Sequence, residues 1–291
     1  MTYSLFPSVR NASRYLSSLL ALTAVVGFAG CLFGVVPARA ERRDTTKDEA
    51  TYTLKRVYKT GDTDRYRMTT KINAEIPGAG PVDVTTTMLM KDLTKEAKED
   101  GSLTSIAEFE NASVSLNGMD IDITGMMPKL ITTRDKNGKS DVKMEGGNEQ
   151  ITSQIGDQIK QFNMSAAAAM LPSKAVKVGD SWEIATNALG AKDQKVAGKV
   201  TLVSVDTIKG KKVAKLKTVS DVTGGGDTKI HTEATTLIDL ETGKAIDTTT
   251  KTDGNANGSP INIEMSMKLL GPDDKDGAKE VIKADSSAKK P

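Results

Sequence analysis

Past Ala40 the chain contains no cysteine, its only histidine is His231, and aromatic residues make up 4% of 291 positions, with a single tryptophan, Trp182. Without thiols there are no disulfides and no thiolate metal sites, so stability has to come from packing. Hydrolytic triads lack their parts. His231, in "KIHTEATTLIDL", alternates onto the face shared with Lys229, Glu233 and Asp239 and reads as a solvated strand residue rather than a base. There is no G-x-S-x-G elbow, and "TGGGD" (223–227) lacks the following helix and lysine of a phosphate loop. Asp120 and Asp122 share one face of a short strand, a spacing open to acid–base work or calcium, with a solvated face as the simpler reading. "DDKDG" (273–277) lacks the downstream bidentate Glu of a calcium loop. These absences argue against an enzyme and against any cofactor or metal.

Acidic side chains are missing from residues 1–40, where the only charges are Arg10, Arg14 and Arg39, and nothing from Tyr15 to Val36 is charged. A basic start, an apolar stretch and the small-x-small site Ala38-Arg39-Ala40 ahead of Glu41 make an export signal, with cleavage expected after Ala40. "FAGC" (Phe28 to Cys31) is a loose lipobox that would make Cys31 a lipidated N-terminus, although Leu32, Phe33, Val35 and Val36 prolong the apolar run where a polar tether belongs. The run is also about as long as a membrane span, so an uncleaved N-terminal anchor is a third outcome. Each places the protein in the periplasm, the cell envelope or outside the cell. Of 40 basic residues three precede Glu41, against 38 acidic residues, so the exported part carries a formal net charge of −1. That balance gives no electrostatic footing for nucleic acid.

What is present from Thr51 onward is period two. Tyr66, Met68, Thr70, Ile72, Ala74 and Ile76 alternate with polar neighbours, as do Val82, Val84, Met88 and Met90, then Met119, Ile121 and Ile123, then Ile261, Ile263, Met265, Met267 and Leu269. Successive strand side chains point to opposite faces, so each run buries one face and wets the other, the pattern of antiparallel sheet. The run Val196, Val200, Leu202 blurs where Val203 and Val205 change face. Gly-bearing turns such as "KTGD", "EDGS", "LNGM", "IKGKK" and "ETGK" separate about a dozen strands. Threonine runs at 85–87 and 248–250 suit an exposed β-surface.

One segment breaks the period: Ile151, Ile155, Ile159 and Phe162 form a helical stripe, and "SAAAAMLP" continues to a stop at Pro172. The expected organisation is a signal peptide at 1–40, a polar leader at 41–49, a β-rich domain at 50–270 with a helical insert at 149–171, and a disordered tail at 271–291. The fold class is mainly β (α+β), with long antiparallel strands in a curved sheet or half-barrel. Segments 85–105 and 234–251 share a Thr-rich, apolar, Asp-Leu, charged-turn order, consistent with either duplication or convergence of hairpins.

After Pro172, Val176 and Val178 flank Lys177 in extended chain, and Gly179-Asp180 forms a tight turn. Trp182 is expected to anchor this junction in the core, ligand stacking being the other use of a lone indole. "VKVGDSWEI", followed by "GKVTLVSVDTIKGKKVAKLKT" and "TTLIDLETGKAIDTTTK", resembles a group of uncharacterised bacterial envelope proteins, exported or lipid-anchored. In that group a Pro-x-x-x-Val-x-x-Gly-Asp-x-Trp segment precedes a β-meander with an Asp-x-x-Thr-Gly hairpin. The corresponding positions are Pro172, Val176, Gly179, Asp180 and Trp182, then Asp239, Thr242 and Gly243. The match runs from Lys174 to Lys251 and implies no catalytic residues. Long strands with a central helix are also similar in architecture to half-barrel lipoprotein carriers of the LolA type.

Eleven methionines follow the initiator, mainly on inward strand faces or in the insert. A methionine-rich, aromatic-poor interior suits either a pliable cavity or an ordinary filled core; thioether copper binding would want histidines that are absent. The leading functional expectation is a non-enzymatic envelope protein that holds a lipid or other apolar ligand between helix and sheet. Its site residues would be Met88, Met90, Ile155, Ile159, Phe162, Trp182, Met265 and Met267. The alternative is a structural or interaction module with a filled core, whose Thr-rich strands contact envelope protein or polysaccharide.

Overall fold

The computed structural model describes residues 50–76, 80–136, 140–149, 171–172, 174–187, 195–223, 228–256, 259–271 and 274. The signal region with Cys31, Ala38 and Ala40, the polar leader, the helical stripe with Ile155, Ile159 and Phe162, and nearly all of the tail lie outside these residues.

The chain first makes a two-residue strand, β1 (Thr51–Tyr52). A meander follows: β2 (Thr63–Ile76), β3 (Gly80–Ala97), β4 (Leu103–Leu116), β5 (Met119–Asp122), β6 (Lys129–Arg134) and β7 (Ser140–Glu145). After β8 (Val176–Lys177) a second meander runs through β9 (Ser181–Asn187), β10 (Lys195–Ile208), β11 (Lys211–Thr223), β12 (Lys229–Asp239), β13 (Ala245–Ala256) and β14 (Ser259–Leu269). The last strand returns to pair with β2, so both meanders join one antiparallel sheet of 12 strands, ordered β7-β6-β4-β3-β2-β14-β13-β12-β11-β10-β9, with β5 on the flank of β4. The only described element that is not a strand is a 3-10 turn at Thr124–Met126.

Register follows the hydrophobic alternation, because a slip of one residue would send every apolar side chain to water. Met88, Met68 and Met267 stand side by side on β3, β2 and β14, and Val84, Ile72 and Ile263 form a parallel row. Together with Tyr66, Met90, Val114 and Ile261 they make the larger core cluster. A second cluster lies on β10, β11 and β12 around Val200, Leu202, Leu216 and Ile238, roofed by Leu54, Leu171 and Val176 next to the β1·β8 pair.

Three expectations need correction. The threonine triplets do not all face water: strict alternation sends Thr86, Thr248 and Thr250 to the buried side, while Thr249 stays exposed. Met119 (66% exposed) and Met126 (42%) face outward, because β5 is a short flank strand that ends in the 3-10 turn instead of continuing the core row. Asp239 is buried, not on the wet face of His231, because the register shifts between Leu237 and Ile238 and rotates the strand end inward. The same device accounts for the blurred run on β10: a shift between Leu202 and Ser204 leaves Val203 exposed and returns Val205 to the second cluster.

Candidate functional site

The buried side of β3, β2 and β14 carries five methionines: Met68, Met88, Met90, Met265 and Met267, all at most 4% exposed. Thioethers on flexible stems fill irregular space, and no aromatic ring interrupts the central row. Within this layer Thr70 and Thr86 oppose each other across β2 and β3, and Met265 lies beside Thr70 on β14. Both hydroxyls are buried, at 0% and 2% residue exposure, and neither Oγ1 has a hydrogen-bond partner among the described residues. Two threonine pairs across β12 and β13 differ, since Thr232 bonds Thr252 at 3.0 Å and Thr248 bonds Thr236 at 3.4 Å.

Four of the sequence-predicted site residues, Met88, Met90, Met265 and Met267, therefore share this face. Trp182 does not join them. It sits on edge strand β9, opposite Val200, five strands from β14, and is only half-buried against the second cluster. Its junction is otherwise as expected: Asp180 N–H donates to Lys177 O at 3.0 Å, Lys177 N–H to Asp180 Oδ2 at 2.8 Å, and Gly179 takes φ 93°, a conformation open to a residue without Cβ.

One row further along the buried face the layer ends in charge. Asp64 and Asp92 oppose each other across β2 and β3. Arg56, arriving from the segment between β1 and β2, bonds Asp64 at 2.7 Å and the Thr242 carbonyl at 3.4 Å. Lys244, on the β12–β13 turn, reaches the other Asp64 oxygen at 2.5 Å and Asp62 at 3.7 Å. Tyr58 lies between the guanidinium carbons of Arg56 and Arg134, 4.7 and 5.0 Å from its ring centre, and burial raises its pKa against the pull of both cations. Desolvation first, then the neighbouring Asp64, push Asp92 up to about 6; its Oδ1 has no hydrogen-bond partner among the described residues.

This clasp explains the Asp-x-x-Thr-Gly hairpin in structural terms. Asp239 Oδ1 accepts the N–H groups of Glu241 (2.8 Å) and Thr242 (3.2 Å), which shapes the turn. Thr242 O receives Val57 N–H at 2.8 Å, and Gly243, at φ 66°, lies so close to the Lys55–Arg56 backbone that a Cβ would collide with Lys55 O. Sequence reasoning found the motif but not its partner, since the Lys244–Asp64 contact spans 180 residues.

The opposite face is polar. A row of hydroxyls crosses six adjacent strands in register: Ser113, Thr87, Thr69, Ser266, Thr249 and Thr235. Beside it run Lys71, Glu264, Lys251 and Glu233, with Lys251–Glu264 and Lys217–Glu233 each 3.3 Å apart. Thr69, Ser266, Thr249 and Thr235 of the first row and the four charged residues of the second, with Lys217, Ala234, Thr250 and Met265, line a depression of about 340 Å3 over β2, β14, β13, β12 and β11. His231 lies on this face, its Nδ1 2.8 Å from Asp221 Oδ1, and that bond raises its pKa. Asp122 accepts Thr124 N–H at 2.8 Å, which lowers its pKa and gives it a turn-capping place rather than a pairing with Asp120. Among the described residues no group of three or more His, Cys, Asp or Glu could hold a metal ion, and no described helix is long and apolar enough to cross a membrane.

No family model matches the chain, and no curated protein does. Among solved structures it is similar to lipovitellin, studied for its lipid–protein interactions, at 10% identity and a TM-score of 0.34, covering 74% of this chain but only 26% of that one. It is also similar to an exported protein of YmcC-like fold from Bacteroides fragilis (7% identity, TM-score 0.26, 77% of this chain and 100% of that). A third is the hypothetical lipoprotein YmcC of Escherichia coli (12%, TM-score 0.23, 75% and 93%). The chain thus spans about a quarter of lipovitellin, and each superposition is loose at these TM-scores.

Proposed function

We propose that the protein is an exported, non-enzymatic component of the cell envelope that holds an apolar chain, such as a lipid acyl chain, against the methionine-bearing face of β3, β2 and β14. The observation that carries this reading is the pair of hydroxyls on Thr70 and Thr86, buried among methionines with no partner among the described residues. A buried hydroxyl left unpaired costs about 1–3 kcal/mol, whereas valine of nearly the same shape would cost nothing of that kind. An acyl chain with an ester or amide carbonyl at that depth would accept both hydroxyls while its methylenes lie on the thioethers. The methionine rows supply the adaptable surface such a chain needs.

Native mass spectrometry of protein extracted from its own envelope tests this. A bound apolar mass is the expected result. In Thr70→Val/Thr86→Val that mass is lost or reduced, while the empty protein becomes more stable by about 2–6 kcal/mol, two unpaired hydroxyls being removed. Protein recovered without any apolar mass, or a double variant that keeps its ligand undiminished, would sink the proposal.

A further inference from the structure

We infer that the polar depression over β2, β14, β13, β12 and β11 is a binding groove for a linear, uncharged polysaccharide lying across the strands. This does not rest on the apolar-ligand reading, because it uses the other face of the sheet. Side chains on adjacent strands are about 4.8 Å apart, close to the length of one hexopyranose unit in an extended β-linked chain. The hydroxyl row therefore offers one Ser or Thr per sugar over several consecutive strands. A hydroxyl both donates and accepts, which is what a sugar hydroxyl needs from a partner.

The charges beside the row narrow the occupant. Lys71, Lys251 and Lys217 stand against Glu264 and Glu233, and two of these lysines are held in ion pairs. Neither a polyanion nor a polycation meets a field of one sign here. A hydrocarbon surface is ill-matched for a different reason: Ala234 and Met265 take part in the lining, but such a partner would strip water from the lysine, glutamate and hydroxyl groups that share it. The alternating charges instead supply strong donors and acceptors to hydroxyl groups along one edge of the chain. Among the described residues no aromatic ring lines the depression to stack on a sugar face, so affinity per unit is low and grows with chain length.

The test is an NMR titration of the full exported chain with two probes, the β-1,4-linked hexamers of glucose and of N-acetylglucosamine. The expected result is millimolar binding of at least one hexamer, with amide shifts confined to the groove strands, and binding that survives a rise in salt. In Thr69→Val/Thr235→Val/Thr249→Val it weakens about tenfold or more, three hydroxyl bonds being lost. If that variant does not fold, Thr249→Val alone carries the comparison with a loss of about threefold. Absence of groove shifts with both hexamers overturns the inference, as do shifts on another face or a groove binding that disappears in salt. Preference for an alternating Lys/Glu peptide would assign the groove to protein instead.

Discussion

Asp92 is a residue whose chemistry departs far from its solution behaviour. Its carboxyl faces Asp64 in a largely buried setting and titrates near 6 rather than near 3.8. Between those values the folded state holds a proton that the unfolded chain has released, so stability falls as pH rises toward about 6 and stays lowered above it. The ionised form then costs roughly 1–3 kcal/mol, since each tenfold change in proton affinity is worth about 1.4 kcal/mol. Asp92→Asn removes that charge and should stabilise the protein by this amount at pH 7.5, with the gain shrinking toward pH 4. Urea titrations at the two pH values measure it; an equal effect at both would mean that the carboxyl is not raised. Gly243 and Gly179 form a second residue-scale contrast. Both have positive φ, but a Cβ at Gly179 meets nothing within 4 Å, whereas at Gly243 it strikes the Lys55 backbone. Gly179→Ala should cost about 1 kcal/mol, from backbone conformation alone, and Gly243→Ala more than about 3 kcal/mol, because a rigid segment must move. Equal costs would remove the close packing of the hairpin on the Arg56 segment.

At the scale of elements, the strands were legible because burial on one face imposes period two, and the turns because glycine marks them. Even the blurred stretch at Val203 and Val205 carried information, since it marks the register shift on β10. What period two cannot carry is which strands pair over long separations. The β14·β2 ladder that fuses the meanders joins Ile261 to Ala74, and nothing local encodes it. The candidate site was legible to the same extent: methionines on known faces were visible, whereas the opposition of Thr70 to Thr86 and the clasp around Asp64 depend on register and distant closure. Trp182 shows the limit most clearly. Its alternation with Ser181 and Glu183 is as expected, but an edge strand has a neighbour on one side only, so the indole is half-covered. Trp182→Ala should therefore cost about 2 kcal/mol, below the roughly 3–5 kcal/mol of a fully buried large aromatic. A loss above about 4 kcal/mol in chemical denaturation would restore the core-anchor expectation.

For the whole molecule, the decisive fact is that one sheet carries two cores. The larger belongs to β2, β3, β4 and β14 and the smaller to β10, β11 and β12; between them the buried side of β13 presents Thr248, Thr250 and Thr252 in place of large apolar groups. Hydroxyls paired across β12 and β13 hold the strands together but contribute little apolar burial. Coupling between the cores must come from elsewhere, and the segment before β2 provides it: Leu54 packs in the smaller core, while two residues later Arg56 pairs with Asp64 at the end of the larger one. Lys244 closes the same link from the β12–β13 turn. Arg56→Met leaves Asp64 and Asp92 buried with Lys244 as the remaining close cation, a loss of about 3–5 kcal/mol. It should also uncouple the cores. Trp182, the single tryptophan, reports on the smaller core, and far-UV circular dichroism reports on the sheet as a whole. In the unsubstituted protein the two signals should trace one urea transition. In Arg56→Met the fluorescence change should come first, at lower urea, because the smaller core loses its tie to the larger. If both signals shift together, with an unchanged slope, the threonine column alone is enough to make the sheet one cooperative unit and the clasp does no more than add stability.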